Sequence, residues 1–317
     1  MTMTTRTTPL IAIVGPTAVG KSALAIRLAQ KFCGEIISAD SRQVYRDMNI
    51  GTAKPTADEL KCVPHHLLDV VNPNESFSLS EYQHRAYMTI EQIHARNKVP
   101  LLVGGSGLYV RAVLEGLTIP RVAPNLDRRA ELEQEDAHAL YARLLQLDAL
   151  AAERIDPRNT RRVIRAIEVC EASGKPISEQ QTRTAPDYRV LRIGLTMPRE
   201  PLYERINARV DAMIDAGLVD EVRRLIDRGY SVDLPAMSGL GYRQIALYLN
   251  ETVPLAEAVR LLKRDTRRFV HHQYSWFRLD DERIHWFDVS TPREDEIYHL
   301  FAQHLHGTES LATSSDE

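Results

Sequence analysis

The sequence predicts an α/β protein in which helices cover a parallel sheet and a helical insertion interrupts the core. Short apolar, β-branched runs alternate with amphipathic helical patterns between residues 10 and 103, which is typical of strand–helix–strand units in a parallel sheet. Strand-like runs then give way to helical patterns and return at residues 190–196 (VLRIGLT). We therefore predict a core over residues 1–115 and 190–306, an insertion over residues 116–189 and a disordered tail over residues 307–317.

The first strand leads directly into a predicted phosphate-binding loop. Residues 10–14 (LIAIV) form a short apolar strand pattern, and residues 15–22 (GPTAVGKS) match the pattern G-x-x-x-x-G-K-[ST]. In such a loop the backbone N–H groups and the following helix N-terminus face phosphate oxygens, while Lys21 adds a positive charge and Ser22 a hydroxyl ligand for Mg²⁺. The pattern predicts a P-loop NTPase-like sheet and leaves open which phosphorylated ligand is bound. The predicted phosphate-binding residues are Gly15, Pro16, Thr17, Ala18, Val19, Gly20, Lys21 and Ser22.

Two later strands end in polar or glycine-rich segments. Residues 35–40 (EIISAD) predict a strand that delivers the polar residues 40–43 at its carboxyl end, where open α/β sheets bind their ligands. Residues 100–103 predict another buried strand, which runs into the glycine-rich loop 104–107. Both segments are therefore expected at the same edge of the sheet as the phosphate loop.

One helix of the predicted insertion carries charged residues opposite its apolar stripe. The stripe includes Val163 and Ile167. Arg161, Arg165 and Glu168 are predicted on the opposite face, which suits either an ordinary solvated surface or contact with an anionic partner.

Two basic features follow the insertion. Arg209 lies at the edge of the apolar stripe of a helix over residues 202–213, where it either extends to solvent or faces a buried anion. Residues 258–278 contain six Lys or Arg, one acidic residue and four aromatic residues. This segment predicts either an RNA-contacting surface or a solvated helix whose aromatics pack in the core. A strand over residues 284–289 completes the predicted sheet.

Composition and charge are those of a globular chain. Of the 317 residues, 44% are hydrophobic and 26% are charged, and no stretch is long and apolar enough to predict a membrane span. The net charge of −3 argues against non-specific nucleic-acid binding by the whole surface but allows local basic patches. The three cysteines lie far apart without a C-x-x-C pair, which fits a reducing cytoplasm. Residues 1–9 lack the apolar segment of a signal peptide and predict a disordered lead-in.

Four separated segments carry a family resemblance. They are residues 15–22 (GPTAVGKS), 39–55 (ADSRQVYRDMNIGTAKP), 101–109 (LLVGGSGLY) and 239–244 (GLGYRQ). Together they resemble the bacterial tRNA dimethylallyltransferases, also called tRNA isopentenyltransferases, from about residue 10 to residue 305. The phosphate loop is generic, whereas the second segment, at its distance from that loop, is highly specific to the family.

The resemblance implies a reaction and its partners. Members of the family transfer a dimethylallyl group from dimethylallyl diphosphate to the exocyclic amine of the adenosine that lies 3′ of a tRNA anticodon, and diphosphate is released. The resemblance therefore implies Mg²⁺ as cofactor, and dimethylallyl diphosphate and the tRNA anticodon stem-loop as partners. It also implies a cytoplasmic protein without a membrane anchor, which we expect to be a monomer.

The resemblance also assigns roles to individual residues. Asp40 would be the general base that takes a proton from the amine, although a strand-end carboxylate also suits Mg²⁺ binding or helix capping. Lys21, Ser106 and Arg209 would complete the catalytic set, and Arg209 would bind the diphosphate together with the phosphate loop. The implied tRNA-contacting residues are Asp40, Ser41, Arg42, Gln43, Ser106, Arg128, Arg161, Arg162, Val163, Ile164, Arg165, Ser238, Gly239, Leu240, Gly241, Tyr242 and Arg243.

Three alternative functions stay open. They are an ATP-dependent kinase of a small metabolite, a prenyltransferase for free adenine nucleotides, and a non-catalytic RNA-binding protein.

The sequence departs from the family pattern at several positions. Val19 stands where many relatives have Ser, and Ser106 where they have Thr. Residues 271–273 (HHQ) stand where relatives often have Lys-Arg-Gln, which weakens the argument for phosphate contacts there near neutral pH.

Overall fold

The computed structural model describes residues 8–120, 122–123, 125–184 and 186–306. The chain divides into two compact units, residues 1–110 with 187–317 and residues 111–186. The predicted tail at residues 307–317 lies outside the described residues, as does the predicted lead-in up to residue 7. The lead-in prediction is wrong for Thr8 and Pro9, because the first strand already begins at Thr8.

The first unit is built on a six-stranded parallel sheet. Its strands are β1 (Thr8–Val14), β2 (Gly34–Ser38), β3 (His65–His66), β4 (Val99–Val103), β5 (Tyr188–Thr196) and β6 (His285–Asp288). The strand order is β3-β2-β4-β1-β5-β6, and every neighbouring pair is parallel. The predicted α/β class and the return of the sheet after the insertion are confirmed. Strand β3 was not predicted, because two residues are too few to show a periodic pattern.

Helices connect the strands and build the second unit. They are α1 (Lys21–Lys31), α2 (Ala57–Cys62), α3 (Leu79–Ala95), α4 (Gly107–Leu114), α5 (Leu126–Glu133), α6 (Ala137–Leu147), α7 (Ala149–Arg154), α8 (Thr160–Ser173), α9 (Ile177–Gln180), α10 (Arg199–Asp215), α11 (Leu218–Asp227), α12 (Tyr242–Leu249), α13 (Leu255–Trp276) and α14 (Glu294–His306). Among the described residues, no helix combines the length and apolarity needed to span a bilayer.

The register of the central strands brings three loops to one edge of the sheet. Ile13 pairs with Val103 on one side and with Ile193 on the other, and β2 ends level with β4. The segments after β1, β2 and β4 therefore leave the sheet at neighbouring points. Gly104 permits the closest approach, because a Cβ there would lie 2.1 Å from the carbonyl oxygen of Ala39.

The second unit has its own apolar core and a buried acid within it. Helices α5 to α8 pack around residues such as Leu140 and Ile167, both fully buried. Glu168, predicted on the face of α8 opposite its apolar stripe, is only 3% exposed, so the interpretation of that face as an ordinary solvated surface does not apply to this residue. Its carboxylate accepts hydrogen bonds from the guanidinium groups of Arg129 and Arg165, which is why burial is tolerated.

Candidate active site

The predicted phosphate-binding loop, here called the phosphate loop, occupies residues 15–20 between β1 and α1. Gly15 has a φ of 137°, and a Cβ there would lie 2.3 Å from the carbonyl oxygen of Leu195. Gly20 precedes α1 in a left-handed conformation, and no side chain caps the first turn of that helix. The N–H groups at the start of α1 are therefore left for another acceptor, as an anion site requires.

Two cations and one carboxylate lie beside this loop. Lys21 Nζ donates a hydrogen bond to the carbonyl oxygen of Pro16 at 2.6 Å, and Arg209 Nη1 donates one to Thr17 Oγ1 at 3.3 Å. The pKa of Lys21 is lowered to about 7, chiefly by desolvation and then by the positive charge of Arg209, while Asp40 opposes both effects. Desolvation also lowers the pKa of Arg209. Arg209 thus faces the loop, and the local excess of positive charge suits a diphosphate.

The residues after β2 and β4 form the other half of the site. Asp40 Oδ1 accepts a hydrogen bond from the backbone N–H of Arg42 at 2.8 Å. Ser106 Oγ accepts one from the backbone N–H of Ser41 at 3.0 Å, and the N–H of Ser106 donates to the carbonyl oxygen of Ala39. Asp40, Ser41 and Ser106, predicted separately from two strand ends, are therefore held together.

A cavity of about 460 Å³ opens at this point. Asp40 and Ser106 line it, together with the segment after α11 and one face of α13. Arg42, which follows β2, is bound to the segment after α11, because its guanidinium donates hydrogen bonds to the carbonyl oxygen of Pro235 and to Ser238 Oγ. The volume lies in the range of pockets that bind small molecules or a single base.

Comparison with known proteins places this arrangement in a family. Residues 43–280 match the family model described as IPP transferase. The chain belongs to that family. It is 58% identical over 274 residues to a tRNA dimethylallyltransferase of Roseiflexus sp. (strain RS-1), with 85% of this chain and 90% of the relative covered.

Solved structures agree with the sequence comparison. The tRNA isopentenylpyrophosphate transferase of Bacillus halodurans superposes with a TM-score of 0.71 at 43% identity, covering 94% of this chain and 97% of that one. A eukaryotic dimethylallyltransferase acting on tRNA superposes with a TM-score of 0.83 at 27% identity, covering 96% and 81%. The resemblance found in the sequence is therefore confirmed.

One family motif, residues 239–244, is tied to the segment of residues 49–51 by an acid that was not predicted. Glu221 is 3% exposed, and its carboxylate accepts hydrogen bonds from the N–H groups of residues 49–51 and from the hydroxyl of Tyr242 at 2.6 Å. Burial, and then the charge of Glu221, raise the pKa of Tyr242. Tyr242, which was predicted to contact tRNA, has a fully buried side chain and lines the cavity.

Helix α13 lies in the basic and aromatic segment that the sequence predicted as either an RNA-contacting surface or a solvated helix. Arg268, Phe269 and Gln273 line the cavity. Other basic residues of this helix are paired: Lys263 binds Asp211, and Arg260 and Arg264 bind acids of their own helix. Phe277 is 4% exposed. The predicted segment therefore combines both interpretations: three of its basic residues are neutralised by acids, Phe277 just after α13 packs in the core, and a short stretch of α13 lines the cavity.

The remaining predicted tRNA contacts lie in two groups. Gln43 is held inside the first unit, where it accepts a hydrogen bond from Ser38 Oγ and donates to backbone carbonyls. Gly239, Leu240, Tyr242 and Arg243 line the cavity. In the second unit, the side chains of Val163 and Ile164 pack in the core and do not face solvent. Arg161 and Arg162 are exposed, whereas Arg128 and Arg165 form ion pairs with nearby acids.

Proposed function

We propose that this chain transfers a dimethylallyl group from dimethylallyl diphosphate to the exocyclic amine of the adenosine 3′ of a tRNA anticodon, and releases diphosphate. Family membership supports the reaction class. The observation that carries the proposal is the meeting of a cationic phosphate loop with Asp40 and Ser106 at one end of a cavity. That arrangement offers one place for a leaving diphosphate and another for a nucleophile that must lose a proton.

The donor half of the site would stabilise the leaving group. Thr17 Oγ1, Lys21 Nζ and the guanidinium of Arg209 surround the position where diphosphate charge would develop. Because Lys21 and Arg209 are already desolvated, they would not need to shed water as the allylic C–O bond breaks. Lys21, with a pKa of about 7 in the free protein, would gain a proton or keep one as the diphosphate binds.

Mg²⁺ would complete the charge balance on the donor side. Among the described residues, no group of three or more His, Cys, Asp or Glu forms a metal cage. This fits Mg²⁺, which is commonly held by a few protein oxygens together with substrate phosphates and water. Ser22, at the start of α1, would supply its hydroxyl, and the bound ion would neutralise negative charge on the diphosphate.

The acceptor half of the site would activate the adenine amine. The target base leaves the anticodon loop and enters the cavity, as enzymes that modify a base generally require. A bond then forms between the amine nitrogen and the allylic carbon, the C–O bond to the diphosphate breaks, and Asp40 takes the amine proton. Asp40 Oδ1 is engaged by the N–H of Arg42, while in the described part of the chain no hydrogen bond is found to Oδ2.

A smaller apolar cavity provides a place for the dimethylallyl tail. It measures about 60 Å³ and touches Thr17 and Arg209 on one side. It shares Gly51 and Leu240 with the large cavity. Its remaining walls are mostly apolar, and they include Ile206, Val210, Met213 and Leu262. A five-carbon group placed there would lie beside both the diphosphate residues and the acceptor site.

The exposed arginines of α8 would bind the tRNA backbone. Basic side chains that neutralise phosphates contribute affinity without reading sequence. Since its substrate is tRNA, we also infer a cytoplasmic protein, and we expect a monomer.

Transfer of labelled dimethylallyl from its diphosphate to unmodified tRNA, with Mg²⁺ and without ATP, tests the proposal. Label is expected in tRNA and not in AMP. Lys21→Met should lower the rate by about 10²-fold or more, because the leaving group loses a charge. Lys31→Met, on the same helix but stacked on the Tyr298 ring, should stay within about twofold. Label in AMP alone, or ATP turnover without RNA, would contradict the proposal.

A further inference from the structure

Gln273 of α13 joins the two loops that form the site. Its side chain is 3% exposed. Oε1 accepts a hydrogen bond from the backbone N–H of Thr17 at 2.8 Å, and Nε2 donates one to the carbonyl oxygen of Gly105 at 3.1 Å. A Cβ at residue 105 would lie 2.2 Å from Nε2, so only glycine allows this approach. The amide therefore spans the gap between the phosphate loop and the loop after β4.

The two hydrogen bonds of Gln273 connect to different halves of the proposed active site, the diphosphate side and the acceptor side. On one side, Thr17 Oγ1 accepts the hydrogen bond from Arg209, so the position of residue 17 affects the diphosphate site. On the other, Ser106 follows Gly105 directly and holds the N–H of Ser41, next to Asp40. A shift of either loop would change the distance between the leaving group and the base.

We propose that Gln273 is a positioning residue that fixes the spacing between the diphosphate-binding loop and the acceptor-side loop. This inference rests on the proposed function. An amide suits the task because it offers one acceptor and one donor at its end, as the N–H and the carbonyl oxygen of the two loops require. Neither a carboxylate nor an apolar side chain of the same length satisfies both loops. Each substrate would still find its own subsite, while their mutual alignment would depend on the bridge.

Gln273→Met tests the bridge because methionine keeps the length and fills the space without forming either hydrogen bond. We expect kcat to fall by about tenfold to a hundredfold, since misplacement of reacting groups by about 1 Å costs this much. KM for dimethylallyl diphosphate and the Kd for tRNA should change by less than about threefold. The matched control is Gln303→Met on α14, whose amide forms an exposed hydrogen bond with His299, and its kcat should be unchanged.

Hydrogen exchange gives a second readout that needs no substrate. The N–H of Thr17 should exchange at least about tenfold faster in Gln273→Met than in the wild type, while the amides of α13 remain protected. Unchanged exchange at Thr17, or an unchanged kcat, would overturn the inference. A rise in the Kd for tRNA that accounts for the lost rate would also overturn it, because Gln273 would then be a tRNA contact. If the wild type transferred no label, the proposed function would fail, whereas the exchange result would still test the bridge.

Discussion

Two charge clusters of this molecule each combine two cations with one carboxylate, but the cations are desolvated in one cluster and the carboxylate is buried in the other. At the phosphate loop, Lys21 and Arg209 face a single carboxylate, Asp40, and desolvation lowers the pKa values of both cations. In the second unit, Arg129 and Arg165 share the buried carboxylate of Glu168. Desolvation by itself raises the pKa of Glu168, but the hydrogen bonds from the two arginines outweigh it and the pKa lies below its usual value.

The difference separates a proposed binding site from a structural support. In the second unit each buried charge has its partner, so the cluster is complete within the folded chain. At the phosphate loop the desolvated cations exceed the available negative charge, which costs stability unless an anion binds. We therefore expect removal of the acid to have different consequences in the two places: loss of chemistry in the first, and loss of stability in the second.

The largest effect should follow from Asp40→Asn. Transfer to tRNA should fall by about 10²- to 10⁴-fold, because the amine loses its proposed general base while the shape of the site is kept. Pyrophosphate, measured by calorimetry, should bind as well as before or more tightly, since one negative charge beside Lys21 and Arg209 is gone. If the loss of tRNA affinity were as large as the loss of rate, Asp40 would be a binding residue and not a base.

Glu168→Ala should affect the folded state of the second unit. It leaves Arg129 and Arg165 without their shared carboxylate, and it also frees the N–H of Asn125. The two arginine side chains are about one third exposed, so water reduces the penalty and we expect a loss of about 1–3 kcal/mol in the free energy of unfolding. Urea denaturation followed by hydrogen exchange of α5 and α8 measures it.

The matched control for that variant is Glu179→Ala, on the short helix α9 of the same unit, for which we expect a change within about 0.5 kcal/mol. Equal losses for Glu168→Ala and Glu179→Ala would mean that the buried carboxylate has no special role.

The pH dependence of diphosphate binding should report the cationic excess. A bound diphosphate raises the pKa of Lys21 above its free value of about 7, so affinity from this group is fully present below that pH and is lost as the pH rises above it. After correction for the ionisation of pyrophosphate, we expect a decline of up to about tenfold per pH unit. Calorimetry in buffers of different ionisation enthalpy should detect proton uptake above about pH 7.

Arg209→Met sharpens this experiment, because the charge of Arg209 helps to lower the pKa of Lys21. The midpoint of proton uptake should then move to higher pH, although overall affinity falls. A midpoint that stays in place would mean that desolvation alone controls Lys21.

The parts of the site that could be predicted are those encoded by neighbouring residues or by strand ends. The phosphate loop is continuous in sequence, and Asp40 and Ser106 follow strands whose parallel register could be foreseen. Gln273 could not be found in this way, because its bonds reach Thr17 and Gly105 across 256 and 168 positions. Glu221 binds the loop of residues 49–51 across a similar distance.

The burial of Glu168 on α8 could not be predicted for a related reason. Periodicity places Glu168 opposite the apolar stripe, where a solvated residue is expected. In the fold, Asn125 and Arg129 of the α5 segment cover that face and supply donors to the carboxylate. If α5 packed on this face of α8 through apolar side chains, α8 would show a second apolar stripe in its sequence. A polar contact between two helices leaves no such periodic signal.

The smallest expected effect is on tRNA binding by the exposed arginines of α8. It applies the comparison of paired and unpaired charges to the surface of the second unit. Within the described residues no ion pair is found for Arg161 or Arg162, whereas Arg158 pairs with Asp156 through both of its oxygens. If unbalanced charge marks a site for an anion, Arg161→Ala and Arg162→Ala should each weaken tRNA binding about two- to fivefold. Each should also reduce the slope of log K against log salt by about 1.

Arg158→Ala is the matched control. It should change neither the tRNA affinity nor the salt slope, since the charge of Arg158 is already neutralised. Equal changes in all three variants would show that pairing within the chain does not predict which arginines meet the tRNA.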